Sequence, residues 1–275
     1  MQYCLPLLAL AVGFLTVRVC CRAFLGLLVS GGAVRPNYRG QEVPVGGGTV
    51  FFFALLAGML VAYFFPPAGL KERKLLGLLF LTALTTLVGV IDDAWGSRRV
   101  SGFKGHFGRL LRGELTTGAL KGIATFAGSL LLFLPGDPVG EGVLNAFLVA
   151  LWVNTVNLFD LRPGRAGKVF LLAAVVLTAA AWGRPELYLL WVVGGAVLAF
   201  LPYDLQAKAM MGDAGANTLG AVVGATSAWM FSLEARLGIL VGLMVLHLLT
   251  EKYSLTQIIA RNRVLDFLDR LGRRG

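Results

Sequence analysis

The chain reads as an all-α integral membrane protein of about nine transmembrane helices, with its N-terminus outside and its active site facing the cytoplasm. Three observations predict this. The 275 residues are 57% hydrophobic with a mean hydropathy of +0.76, well above a soluble domain. Apolar runs long enough to cross a hydrocarbon layer of about 30 Å recur along the chain. Lys and Arg crowd onto alternate connections between those runs.

The first run, 3–28, lacks the basic start and clear cleavage signal of a secretory leader. It therefore reads as a membrane helix and not as a removed peptide. Further runs lie at 49–65, 75–92, 117–134, 142–159, 168–182, 187–203, 215–231 and 235–250. The connections 66–74, 135–141, 183–186 and 232–234 are short, whereas 29–48, 93–116, 160–167 and 204–214 are more polar. Residues 1–250 make one polytopic domain, followed by a cytoplasmic amphipathic tail at 251–275. In the tail, Val264, Leu265, Phe267, Leu268 and Leu271 share one helical face opposite Arg and Asp, the pattern of an interfacial helix.

The formal charge of +10 would suggest nucleic acid in a soluble protein. Here it orients helices and meets anionic lipid, and no nucleic-acid partner is expected. Seventeen of the 25 basic residues fall on the side that holds the polar connections, which makes that side cytoplasmic. Ten of the 15 acidic residues share it, which favours a cytosol-facing site over a midplane pathway. The three cysteines, Cys4, Cys20 and Cys21, have neither a disulfide framework nor zinc spacing.

The informative signals are carboxylates at the ends of apolar segments, where unused charge is costly. Asp92 and Asp93 lie in GVIDDAWG at the end of the third run. Adjacent carboxylates repel unless a cation binds them, and oxygen-only ligands indicate Mg²⁺, with Mn²⁺ as a second choice. Asp213, in MMGDAGANTLG, opens the eighth run between two glycines. A metal held by Asp93 and Asp213 beside phosphate on the amides of that helix end, with Asn217 one turn on, would form a coherent site. NTVNLFD places Asn154, Asn157 and Asp160 on one helical face. Arg162 and Arg165 follow around Pro163-Gly164 as a candidate phosphate clamp, and Asp204 ends LPYD. Lys104 adds a cation on the same side, and the glycine run at Gly46, Gly47 and Gly48 could receive an anion on entering the second run. His106 reads as a solvated loop residue, His247 as a satisfied core residue, and Gly220 with Gly224 as a site of close helix packing.

In this order, VPVGGG, GVIDDAWG, NTVNLFD and MMGDAGANTLG resemble the motifs of the polyprenyl-phosphate N-acetylhexosamine-1-phosphate transferase superfamily, from about Pro36 to Gly220. The resemblance implies transfer of a sugar-1-phosphate from a nucleotide-diphosphate sugar, expected to be UDP-linked, to polyprenyl phosphate in cell-envelope synthesis. It implies Mg²⁺ and residence in the plasma membrane of a prokaryote, and leaves a homodimer open. By position Asp213 matches the main metal ligand, and Asp92 and Asp93 the pair assigned to metal binding or lipid-phosphate activation. Asn157 and Asp160 match residues of the nucleotide and catalytic cleft.

Several departures mark a divergent branch. The family's Gly-Leu-Asp-Gly-Leu-Ala after the third motif reads Leu161-Arg162-Pro163-Gly164-Arg165-Ala166 here. Asp204 stands where Asn is common, and Ala216-Asn217 replaces Gly-Ser. The histidine-rich loop and a final helix are missing, since no histidine follows Glu251. A relative that binds polyprenyl phosphate or a lipid-linked sugar without turnover is the alternative. A lipid transporter would need more mid-helix polar groups than His247, Thr82, Thr85 and Thr86. The acid spacing of a CDP-alcohol phosphotransferase is absent.

Overall fold

The computed structural model describes residues 5–96, 105 and 108–273. Nine helices of 15 or more residues are present among them: α1 (Leu5–Ser30), α2 (Val50–Phe64), α3 (Glu72–Trp95), α4 (Thr117–Phe133), α5 (Val139–Phe159), α6 (Arg165–Ala180), α7 (Leu187–Leu205), α8 (Gly212–Met230) and α9 (Leu233–Lys252). Two short helices, α10 (Leu255–Arg261) and α11 (Arg263–Arg270), follow α9. Six segments are long and apolar enough to cross a membrane by length and composition: α1, Gly47–Phe64, α3, α5, α7 and α9. The protein is thus an all-α, multi-pass membrane protein.

The bundle is built around α8, in which nearly every residue from Gly212 to Ala228 is buried. Its sequence, GDAGANTLGAVVGATSAWM, explains this. Hydrocarbon supplies no hydrophobic force between helices, so small residues that let backbones approach closely decide which helix takes the centre. A Cβ on Gly220 would collide with the Val153 backbone of α5, and one on Gly48 with Gly215. Helices α3 and α5 flank α8, α4 packs across α3 and α5, and α1 lies along α7. By contrast α9 buries only Arg236 and Leu243.

One local element departs from the sequence reading. The segment before α2, read as a glycine-bearing loop, forms a short antiparallel hairpin of β1 (Val34–Pro36) and β2 (Glu42–Pro44), with Arg35 opposite Val43. Prolines at both strand ends mask it, because proline lacks the donor of a ladder bond. The hairpin is tied to the stretch before α8, where Met210 N donates to Pro44 O at 2.9 Å. The end of the bundle away from the acids is stitched by ion pairs. Lys74 and Arg184 meet buried Glu186, and Arg236 meets Glu141 and Asn145.

Candidate active site

Five aspartates converge where α3, α5 and α7 end and α8 begins. Residues 92 and 93 point about 100° apart on α3, which lies between α4 and α8, so each carboxylate meets a different neighbour. Asp93 turns to α8. Its Oδ1 accepts from Asp213 N at 2.9 Å and its Oδ2 from Ala214 N at 3.1 Å. Helix N-termini leave their first amides unsatisfied and carry partial positive charge. Asp93 therefore caps α8 from another helix. Gly212 makes the approach possible, because its φ of +73° is the left-handed conformation, and a Cβ there would strike the Asp93 carboxylate and Gly46 N.

Asp92 turns towards α4 and Lys121. The Lys121 ammonium lies 2.6 Å from Asp213 Oδ2 and 3.7 Å from Asp92 Oδ2. Asn157, with its amide oriented to satisfy both neighbours, donates to Asp213 Oδ1 at 2.9 Å and accepts from Lys121 Nζ at 2.8 Å. Asp160 lies close to the Gly212 amide. Burial first, then the charges of Asp204, Asp213 and Asp93, push the Asp160 carboxyl well above the ordinary carboxylate range. Asp204, 4% exposed, accepts from Gly164 N at 2.9 Å and so fixes the loop that follows Asp160.

Asp92, Asp93, Asn157, Asp160 and Asp213 are thus gathered as the sequence suggested. Asp93 and Asp213, far apart in the chain, are adjacent in space. Other expectations need correction. The Asp213 and Ala214 amides that open α8 are not offered to phosphate, because Asp93 already accepts from both. The anion cradle at Gly47 and Gly48 is not formed either, since those amides donate to Met210 O at 3.0 Å and Met211 O at 2.9 Å. Asn217 is wholly buried and donates to Thr85 O at 3.2 Å, which makes it a packing contact between α8 and α3. Asn154 is exposed and meets His247 Nδ1 at 3.2 Å, away from the acids, with Thr155 on the other ring nitrogen. His247 is accordingly satisfied, as its surroundings in the sequence suggested.

The two arginines separate. Arg162 is exposed and stacks over Tyr38 with its guanidinium carbon 5.7 Å from the ring centre, while Arg39 approaches the same ring to 5.1 Å. Arg165, only 4% exposed, forks onto Asp269 of α11 at 2.7 and 2.9 Å and is not a free phosphate clamp. Lys104 and His106 lie outside the described residues.

Lys121 is a site residue that no motif of the sequence marks. Its signal was there, since a lone cation in an apolar helix is functional by default. In this arrangement it neutralises carboxylates that would otherwise repel. Among the described residues no three His, Cys, Asp or Glu converge closely enough to chelate a metal by themselves. Asp92 and Asp213 face each other across Lys121, and both oxygens of Asp93 are engaged by amides. Oxygen-only donors still suit a hard divalent cation that completes its shell with water and phosphate.

The fold and the site define a class, a polytopic helical membrane protein with a cluster of aspartates at one end of its bundle. The family model described as "Glycosyl transferase family 4" matches residues 75–231, more than half of the chain, and the chain belongs to that family. It is similar to the phospho-N-acetylmuramoyl-pentapeptide-transferase of Streptococcus pneumoniae serotype 19F (strain G54), 31% identical over 207 residues. It is also similar to the protein of that name from Streptococcus pyogenes serotype M12 (strain MGAS2096), 27% identical over 215 residues. Each match covers 70% of this chain and 61% of the relative's length.

Proposed function

We propose that this protein transfers a sugar-1-phosphate from a nucleotide-diphosphate sugar to polyprenyl phosphate, at the cytoplasmic face of a prokaryotic plasma membrane, in cell-envelope glycan synthesis. All nine long helices cross, the N-terminus lies outside, and the acids face the cytosol. One observation carries the reading: Asp92 and Asp213 gather around Lys121, with Asn157 bonded to Asp213 and Lys121 and Asp160 near Asp213, in a chain of this family.

The reaction is phosphoryl transfer by positioning and charge neutralisation. An oxygen of the lipid phosphate forms a bond to the β-phosphorus of the donor. The bond between that phosphorus and the bridging oxygen breaks, and the nucleoside monophosphate leaves with the electron pair. Asp92 and Asp213, with water and phosphate oxygens, would hold Mg²⁺ once Lys121 leaves Asp213 for the phosphates, and the ion would neutralise phosphate charge. Lys121 offers a second cation at the reacting phosphates. Asn157 holds Lys121 and Asp213 in register. Asp93 fixes the start of α8, and with it Asp213, so its role is positioning. Arg162 and Arg39, stacked on Tyr38, supply exposed cations on the donor side.

The test is purified protein with radiolabelled undecaprenyl phosphate, a panel of nucleotide sugars, and Mg²⁺ present or removed by chelator. Labelled lipid-linked product with matching nucleoside monophosphate, lost on chelation, is expected. The binding-only reading is favoured by one observation, the engagement of Arg165 by Asp269 in the loop where the family reads its donor. Mg²⁺-dependent retention of the lipid with no nucleotide released from any donor would establish that reading and overturn transfer.

A further inference from the structure

The tail is amphipathic in the reverse sense to a helix docked on a soluble protein. Its polar side faces the bundle. Asp269 takes the Arg165 fork, and Arg273 reaches both Asp269 Oδ1 at 2.6 Å and Pro163 O at 2.7 Å. Lys168 Nζ donates to three carbonyls at the end of α11, those of Leu268, Asp269 and Leu271, at 2.9, 2.7 and 2.9 Å. Thr256 of α10 accepts from Arg165 at 3.1 Å. The apolar side faces away. Val264 is 67% exposed, Phe267 63% and Leu271 53%. Exposed apolar residues run along the chain from α9 into the tail, at Leu248, Leu249, Tyr253 and Ile258. Helix α9 is itself long and apolar enough to span a membrane, so the tail extends a lipid-facing surface. The exposed Arg261, Arg263 and Arg270 suit anionic headgroups.

We propose that α10 and α11 form a strut seated in the headgroup region of the bilayer, whose polar side clamps the loop between α5 and α6 beside the acidic site. The occupant of the apolar face is the lipid surface. Asp269 is a positioning residue: through Arg165 it holds residues 161–164, whose Gly164 amide is also bound by Asp204. The strut stands or falls apart from the transfer reaction.

The experiment uses the full chain in phosphatidylglycerol–phosphatidylethanolamine vesicles, with Cys4, Cys20 and Cys21 replaced by Ser. A nitroxide on Phe267→Cys should collide more with oxygen than with a water-soluble nickel chelate, at a depth of about 5–10 Å below the phosphates. Dominance of the nickel chelate places the face in water and overturns the seat. Exclusion of both reagents places it against protein, such as a second copy, and also overturns it. For the clamp, a nitroxide on Leu161→Cys should become more mobile in Asp269→Ala and be restored by the exchange Arg165→Asp with Asp269→Arg. Unchanged mobility in Asp269→Ala, or no restoration in a folded exchange variant, overturns the clamp. Neither measurement depends on turnover.

Discussion

Lys121 and Asp93 show how adjacent residues in one site divide the work. Lys121 stands 2.6 Å from Asp213, so Lys121→Met should leave Asp92 and Asp213 facing each other without their cation. Turnover should fall by about 10²-fold, the size of effect seen when one preorganised charge is removed, as measured by nucleotide release under saturating donor. Asp93 engages two amides of α8 with two oxygens. Asp93→Asn keeps the shape and loses one acceptor. It should lower stability by about 1–2 kcal/mol, in the range of a lost helix cap, and by more than Asp92→Asn does. Thermal unfolding in detergent compares the two. The sequence marked both aspartates but gave them one role. Their division is set by which helices flank α3, and that is tertiary information. Lys121 was legible as a type of residue and illegible as a partner, because nothing local links it to Asp213, 92 residues away.

At the scale of elements, helix centres were readable and the joints between them were not. The run expected at 187–203 is α7 at Leu187–Leu205, because its residues up to Leu201 are apolar without a break. The run expected at 215–231 begins earlier, at Gly212, since a cap supplied by another helix extends α8 through its glycines. The face expected at Val264–Leu271 lies on α11 (Arg263–Arg270), and Asn262 starts that helix, its Oδ1 accepting from Val264 N and Leu265 N at 3.0 and 3.1 Å. Two predictions belong here. Gly220→Ala puts a methyl into the Val153 backbone and should cost about 1–3 kcal/mol, read as a lower unfolding temperature, without altering the charge of the site. Tail docking should depend on acid. Burial works against the Asp269 carboxylate, but the bonds from Arg165 and Arg273 outweigh it and hold its pKa below the usual value of 3.8. The folded pKa is the lower one, so the stabilisation is complete above the unfolded value and is lost as pH falls through the folded one. Protease sensitivity of 253–273 should stay flat down to about pH 4 and rise only below it.

For the whole molecule, composition and charge asymmetry made the class of protein plain before any coordinates. They could not show that α8 is the hub and α9 the periphery, because both sequences are apolar and only the small residues of α8 permit burial on all sides. Sidedness gives a global prediction. Single cysteines at Leu161 and at Arg73, in a background without native cysteines, should be modified by a membrane-impermeant maleimide from opposite faces of sealed vesicles. Labelling of both from one face would refute the orientation.

The Arg165–Asp269 pair also sets an arithmetic condition. A contact between residues on either flank of α6, α7, α8 and α9 can form only if the intervening chain returns to the leaflet it left, so the number of traverses between them must be even. Losing or gaining one traverse would strand the two partners across the bilayer. Evolution can therefore shed these segments in pairs more readily than singly, and a truncation ending before Asp269 would release the chain from that parity.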